Sequence, residues 1–251
     1  MSSHAYSEDQ LVEQPAVGLF SELGWRVASS RPFTAPLALG AEVWLDGSGL
    51  FGRETKSEVV LVDRLRAALL RLNPGQALET LDMAIDEITR DRAAMSLEAA
   101  NREVYRLLKD GVSVAVPNVR EGGEESVRLR VIDWARPDGN DFLLVSQFSV
   151  VGALYTCRPD LVGFVNGLPW VVIEMKRPGM AARSGFEENL THYKREIPQL
   201  FWYSALLIAS NGTESRVGSL TADWERFFEW KRVEREDEPR RVSLEVMLRG
   251  T

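Results

Sequence analysis

The sequence predicts an α/β (α+β) chain, with a mixed central sheet flanked by helices. Three observations lead there. Apolar residues fall at helical spacing through much of the first 110 positions. From Val112 the period shortens to that of strands. A further helical run and a short buried strand then follow, so helices and strands are neither fully segregated nor strictly alternating.

"EDQLVEQPAVGLFSELGWRV" carries Leu11, Val12, Leu19, Phe20 and Leu23 at helical spacing, with Gly24 as its stop. Residues 28 to 57 read as loop, with four glycines in "LGAEVWLDGSGLFG". Residues 58 to 72, "EVVLVDRLRAALLRL", read as a helix ended by "NPG". Residues 77 to 110 read as two helices split near Ser96, which caps the second, with Glu98 close behind. "VSVAV", "VRLRVIDW" and "DFLLVSQFSV" read as strands, separated by "REGGEE" and "RPDGN". A hairpin, "RPDLVGFVNGLPWVVIEMKRPG", spans residues 158 to 179. "GFEENLTHYKREIPQLF" is helical, and "SALLIAS" is a short buried strand ending at "NGTE". A division follows: one domain over residues 1–222, then a charged segment over 223–251 that contains "RVEREDEPRR".

Composition bounds the function. The 251 residues are 45% hydrophobic and 27% charged, which is ordinary for a globular chain. The single cysteine, Cys157, excludes an internal disulfide framework. No apolar run reaches membrane-spanning length, and "MSSHAYSEDQ" lacks the pattern of a secretory signal. These features predict a cytoplasmic protein with no membrane partner. The formal net charge of -7 argues against a free-standing nucleic-acid binder. It leaves room for a nuclease whose DNA is held mainly by other domains or subunits.

Most of the chemistry is concentrated in the hairpin. Its strands are apolar, yet Asp160 opens the first, and Glu174 and Lys176 close the second. Side chains alternate faces along a strand, so Glu174 and Lys176 project the same way. The face of Asp160 depends on the turn. A two-residue Asn166-Gly167 turn with regular pairing sets Asp160 opposite Ile173. A three-residue loop, Asn166-Gly167-Leu168, sets it opposite Glu174. Pro169 interrupts regular pairing beside the turn, so the odd-length loop or an equivalent bulge is expected. Two carboxylates then converge beside one ammonium. Like charges side by side on a sheet repel. Oxygen ligands of this kind suit Mg²⁺, which can activate a water, and the lysine can orient that water or stabilise charge on a phosphate. Strand ends also carry charges simply because they reach solvent, and the triplet alone does not decide between the two readings.

"RPDLVGFVNGLPWVVIEMKRP" resembles the hairpin of PD-(D/E)xK nucleases. It looks like that of the N-terminal endonuclease domain of the restriction (R) subunit of type I restriction-modification enzymes. "LVEQPAVGLFSELGW", "RLNP", "NREVYRLLKDGVSV", "VIDWARPDGNDFLLVSQFSV" and "IPQLFWYSALLIASNGTESRVGSLTADWERFFEWK" look like further blocks of that family in the same order. The resemblance implies a restriction-endonuclease-like core and a type I site-specific deoxyribonuclease activity on duplex DNA. It implies Mg²⁺ (or Mn²⁺) bound by Asp160, Glu174 and the backbone carbonyl of Met175, with Lys176 as the catalytic lysine. Glu13 matches the acidic residue of the first motif and reaches the metal through water, or is a solvated helix residue. Asn189 and Tyr193 match a Gln-x-x-x-Tyr motif, with asparagine standing where glutamine is expected. That places in doubt contact with DNA or with the lysine. The implied partners are duplex DNA, the modification and specificity subunits, and motor domains outside this sequence. ATP belongs to those motor domains, since no G-x-x-x-x-G-K-[ST] loop occurs here. Two rival readings stand beside this one: a non-catalytic docking or regulatory module of the same subunit, and a repair or resolvase-type nuclease on the same core.

The remaining residues read more plainly. His4, His192 and Cys157 form no zinc set. His192 is expected on a helix surface and Cys157 in packing. Trp170 and "FFEW" read as core or docking surface, and "RVEREDEPRR" as a solvated linker or interdomain contact. Arg177, Arg183, Lys194 and Arg195 flank the hairpin and either meet DNA phosphates or form a solvated surface.

Overall fold

The computed structural model describes residues 12–33, 43–118, 122–230 and 243–250. In chain order its helices and strands are α1 (Gln14–Glu22), β1 (Arg26–Ser29), β2 (Val43–Leu45), α2 (Val62–Leu72), α3 (Leu78–Thr89), α4 (Leu97–Asp110), β3 (Val112–Pro117), β4 (Glu124–Leu129), β5 (Phe142–Ser146), β6 (Val150–Val151), β7 (Thr156–Cys157), β8 (Leu161–Val165), β9 (Leu168–Met175), α5 (Ala182–Ser184), α6 (Thr191–Glu196), α7 (Pro198–Phe201), β10 (Leu206–Ser210), β11 (Ser215–Gly218) and α8 (Leu244–Gly250). A π-helical segment, Gly185–Leu190, joins α5 to α6 without a break.

Seven strands form one mixed sheet in the order β11-β10-β9-β8-β5-β1-β2. β1 runs parallel to β2 and to β5, β9 runs parallel to β10, and the other neighbours are antiparallel. β3–β4 and β6–β7 are separate antiparallel pairs. Alternation along the strands feeds two cores. Leu143, Val145, Val162 and Val172 join α2, α3, α4 and the 185–201 region in the larger one. Leu144, Leu161, Ile173 and Met175 join α1 and α8 in the smaller one.

Local signals account for most of these elements. Ser96 caps α4, its Oγ accepting from the Ala99 N–H at 3.2 Å. Gly24 ends α1 with φ +87°, a conformation that favours glycine. Residues 58–72 are only partly helical. Val59, Val60 and Leu61 are buried ahead of α2, because that stretch inserts into the core before the chain turns. β1 and β2 lie within or beside the expected loop. They are three or four residues long and gain their order from parallel neighbours rather than from a local period. The "VRLRVIDW" strand stops at Leu129.

The described part of 223–251 is packed with the domain rather than set apart from it. Trp224 and Phe227 lie in the larger core. Leu244 and Met247 lie in the smaller core beside α1, and Arg249 pairs with Glu22 at 3.1 Å. The "RVEREDEPRR" segment lies outside the described residues.

Of the two expected forms, the hairpin takes the bulge and not the odd-length loop, with the same consequence. The turn is the two-residue Asn166-Gly167, flanked by the pair Val165↔Leu168, not the three-residue loop. Both turn residues have positive φ, 50° and 82°, as a type I′ turn requires. The odd residue is inserted further along. Phe164 pairs with Pro169, and Gly163 with Val171, so Trp170 is the extra residue of a β-bulge. Pro169 has no N–H to give the ladder, which weakens regular pairing at this point. Beyond the bulge, Leu161 pairs with Ile173, so the next position along sets Asp160 beside Glu174.

The turn is held from several sides. The Leu61 N–H donates to the Gly167 carbonyl at 2.9 Å. Asn166 is fully buried, and its Nδ2 donates to the Val131 carbonyl and to Asn140 Oδ1, each at 2.8 Å. Its Oδ1 accepts from the Asp141 N–H at 2.8 Å. Asp141 in turn is ion-paired to Arg64 at 2.8 Å and to Arg26. Burial alone would raise its carboxyl, but the two guanidiniums hold it below the usual range. One end of the hairpin is thereby fixed, and the other end carries the charges.

Candidate active site

Asp160, Glu174, Met175, Lys176, Asn189, Tyr193 and Glu13 all line one cleft of about 470 Å³. They arrive from four places. Glu13 is the residue before α1, Asp160 precedes β8, Glu174 and Met175 end β9 with Lys176 directly after it, and Asn189 and Tyr193 come from the π segment and α6. That helical stretch packs directly on Glu174: a Cβ at Gly185 would stand 3.4 Å from Glu174 Cγ, at van der Waals contact.

The carboxylates have unequal surroundings. One oxygen of Asp160, Oδ2, accepts the Met175 N–H at 2.8 Å, and the other accepts from Gln147 Nε2 at 3.2 Å. The same amide donates to Glu13 Oε2 at 2.8 Å, so Gln147 bridges two acids. Glu174 is only 2% exposed, and its Oε2 is buried with no hydrogen-bond partner. Burial first, and then the neighbouring Asp160, push its carboxyl well above the usual range. A buried anion beside a second anion is costly unless a cation compensates it.

The donors available are hard oxygens, from Asp160, Glu174 and the Met175 carbonyl, and such oxygens fit a small divalent cation such as Mg²⁺. Among the described residues, no group of three or more His, Cys, Asp and Glu side chains stands ready to hold a metal. The bridging amide of Gln147 engages both Glu13 and Asp160, and Glu13 is buried rather than a solvated helix residue.

The lysine is positioned by side chains. Lys176 Nζ donates to Asn189 Oδ1 at 2.7 Å, and Asn189 Nδ2 donates to Tyr193 Oη at 3.2 Å. The doubt over the shorter amide is thereby resolved for the lysine, which Asn189 reaches. Asn189 itself lies within the π-helical segment. Tyr193 is buried, and burial followed by Glu174 raises its hydroxyl far above the ordinary value, so it stays a neutral phenol.

The flanking cations divide. Lys194 faces inward, donating to the Leu220 carbonyl at 2.6 Å and lying over the Phe186 ring, and so is not placed for phosphate contact. Arg183 pairs with Glu187, and Arg195 with Glu196. Arg177 is exposed and forms no salt bridge among the described residues. Cys157 is free and buried, its thiol pushed up by burial and then by Glu196, and it packs in the cleft wall. His192 lies on the rim.

Sequence reasoning missed Gln147. Its signal was present, a lone polar side chain inside "LLVSQFSV", but the geometry was not. Gln147 has φ +57°, and its N–H donates to the Asp160 carbonyl at 2.7 Å. Arg158 and Thr156 were also missed as cleft residues.

Comparison with known proteins points in one direction. A family model described as "Type I restriction enzyme R protein N terminus" matches residues 5–226. The chain is 35% identical over 247 residues to the type I restriction enzyme HindI endonuclease subunit of Haemophilus influenzae, covering 95% of this chain and 22% of that protein. It is 29% identical over 245 residues to a putative type I restriction enzyme MjaIXP endonuclease subunit of Methanocaldococcus jannaschii, again with 95% and 22% covered. A Staphylococcus saprophyticus type I endonuclease subunit is 32% identical over 114 residues, 45% of this chain and 12% of that protein. The chain therefore spans about a fifth of the length of the first two relatives. No helix among the described residues is long and apolar enough to cross a membrane.

Proposed function

Because the chain belongs to the type I restriction enzyme R protein N-terminus family, we propose that it is the endonuclease domain of such a subunit and hydrolyses phosphodiesters of duplex DNA with Mg²⁺. The observation that carries this reading is the buried, unpartnered Glu174 oxygen beside Asp160, with an ordered lysine facing the same cleft. Asp160, Glu174 and the Met175 carbonyl would hold a divalent cation, which would supply water activation and charge neutralisation. The chain's own residues do the rest. Lys176, held by Asn189, points an ammonium at the cleft, where it orients the attacking water or takes up charge developing on the phosphate. Tyr193 stays protonated and fixes Asn189. Gln147 sets the spacing of Glu13 and Asp160.

In this proposal the modification and specificity subunits choose the DNA, and motor domains outside these residues use ATP to move it. Most phosphate contacts come from those parts, which reconciles DNA cleavage with a net charge of -7.

The test is cleavage of duplex DNA by the intact subunit in its complex. Lys176→Ala is expected to lower the rate by about 10²–10³-fold with DNA binding unchanged. Asn189→Ala is expected to lower it by about tenfold, because the lysine loses its positioning partner. Asn189→Gln keeps the amide and retains most of the rate. Full activity of Lys176→Ala would refute the assignment.

A further inference from the structure

Beside the cleft stands a feature that the hydrolytic machinery does not use. β6 and β7 form a short hairpin whose tip, Gly152 to Tyr155, closes with a hydrogen bond from the Gly152 N–H to the Tyr155 carbonyl at 2.8 Å. Leu154 at that tip is 80% exposed and Tyr155 is 59% exposed. Water contact on this scale is unfavourable for a leucine without a partner.

The hairpin is anchored rather than loose. The Val151 N–H donates to the Lys56 carbonyl at 2.9 Å, and Gln199 Nε2 donates to the Val151 carbonyl at 3.2 Å. Gly152 lies so close to α6 that a Cβ would fall 2.0 Å from the Glu196 carbonyl oxygen. The Tyr155 ring sits 6.2 Å from that of His192 on the cleft rim. The descending strand continues directly into the cleft wall, since Thr156, Cys157 and Arg158 line it with Asp160 and Glu174. Arg158 and Arg177 are exposed, and neither forms a salt bridge among the described residues. An exposed apolar tip, tied to the fold by these hydrogen bonds, thus leads directly into the strand that lines the cleft; Arg158 follows it in that lining, and Arg177 follows the cleft residue Lys176.

We propose that the β6–β7 hairpin is a nucleic-acid wedge. Leu154 and Tyr155 enter a groove of the duplex beside the phosphate being cut, while Arg158 and Arg177 meet the flanking backbone. The proposal rests on the reading of the cleft as a site for duplex DNA. Apolar side chains pushed between base steps unstack and bend a duplex, and an aromatic ring can stack on an exposed base. Such a contact seats the scissile phosphate over the carboxylates without demanding a particular sequence, which suits a nuclease that leaves sequence choice to other subunits.

The experiment uses the intact subunit in its complex, with end-labelled duplex DNA. A photo-crosslinking residue replaces Leu154 (Leu154→p-benzoylphenylalanine) or, as control, Leu78, which is 56% exposed and does not line the cleft. Adducts to DNA from position 154 and none from position 78 are expected. The double variant Leu154→Ala with Tyr155→Ala is expected to cleave about tenfold more slowly or worse. Leu154→Met with Tyr155→Phe should restore the rate. An adduct from position 154 to protein rather than DNA, or none at all, overturns the wedge. So does unchanged cleavage by the double alanine variant. Lys176→Ala, run alongside, separates the two ideas: if it abolishes cleavage while position 154 finds no DNA, the active-site reading stands and the wedge falls. If it cleaves normally while position 154 crosslinks DNA, the wedge stands and the assignment of the cleft falls.

Discussion

Replacing Glu174 by glutamine will make the metal-free protein more stable and its DNA cleavage negligible. The two effects share one cause. The carboxylate is buried, one oxygen has no hydrogen-bond partner, and Asp160 stands beside it. Removing the charge removes both a desolvation cost and a repulsion, while the amide keeps the shape. A gain of about 1–2 kcal/mol is expected, a few degrees in Tm for a chain of this size. Added Mg²⁺ should raise the Tm of the unaltered protein and leave that of Glu174→Gln almost unmoved, since ligand binding to the folded state alone stabilises it. Cleavage by the variant in the complex should fall by about 10²–10³-fold or more. Thermal unfolding with and without Mg²⁺, beside the cleavage assay, checks all three. A variant less stable than the parent in the absence of metal would mean that Glu174 is held by contacts of a structural site, and the metal-site reading would fail.

The second large effect lies at the other end of the hairpin. Gly167→Ala is expected to destabilise the fold by about 3 kcal/mol or more. Gly167 has φ +82°, and an added Cβ would stand 2.5 Å from the Leu61 carbonyl oxygen and 2.8 Å from the Leu65 nitrogen. Neither neighbour is a flexible side chain, so either the turn or the start of α2 must move. The Leu61 N–H to Gly167 carbonyl bond goes with it. Denaturant unfolding measures the loss. Gly179→Ala, also at positive φ but with nothing close to its Cβ, should cost much less. Equal losses at the two positions would mean that backbone conformation alone sets the cost and that docking of the turn adds nothing.

The same hairpin shows what was legible. The apolar strands, the turn residues and the charged ends were visible in "RPDLVGFVNGLPWVVIEMKRPG", and with them the expectation that Asp160 meets Glu174. The means was less legible. An asparagine-glycine pair accepts a two-residue turn, and whether the extra residue falls in the turn or at Trp170 depends on what Pro169 and its neighbours pack against. The long amphipathic helices were legible because their period is local. β1 and β2 were not, because three or four residues carry no period and are ordered by their neighbours. Gln147 escaped because its role depends on a left-handed backbone and on two acids distant in the chain.

The class of fold, the carriers of charge at the hairpin ends and the helix bearing Asn189 and Tyr193 are all readable along the chain. These follow from short-range periodicity and from residue chemistry. The burial of Glu174 with one oxygen unpartnered, the hold of Asn189 on Lys176 and the inward turn of Lys194 come from packing between distant segments. The fold also leaves Leu154 and Tyr155 exposed on a hairpin that leads into the cleft wall. The reason is physical. Burial, the partner of a side chain and the direction of a loop are set by groups brought together from distant parts of the chain, and no local pattern encodes their distances.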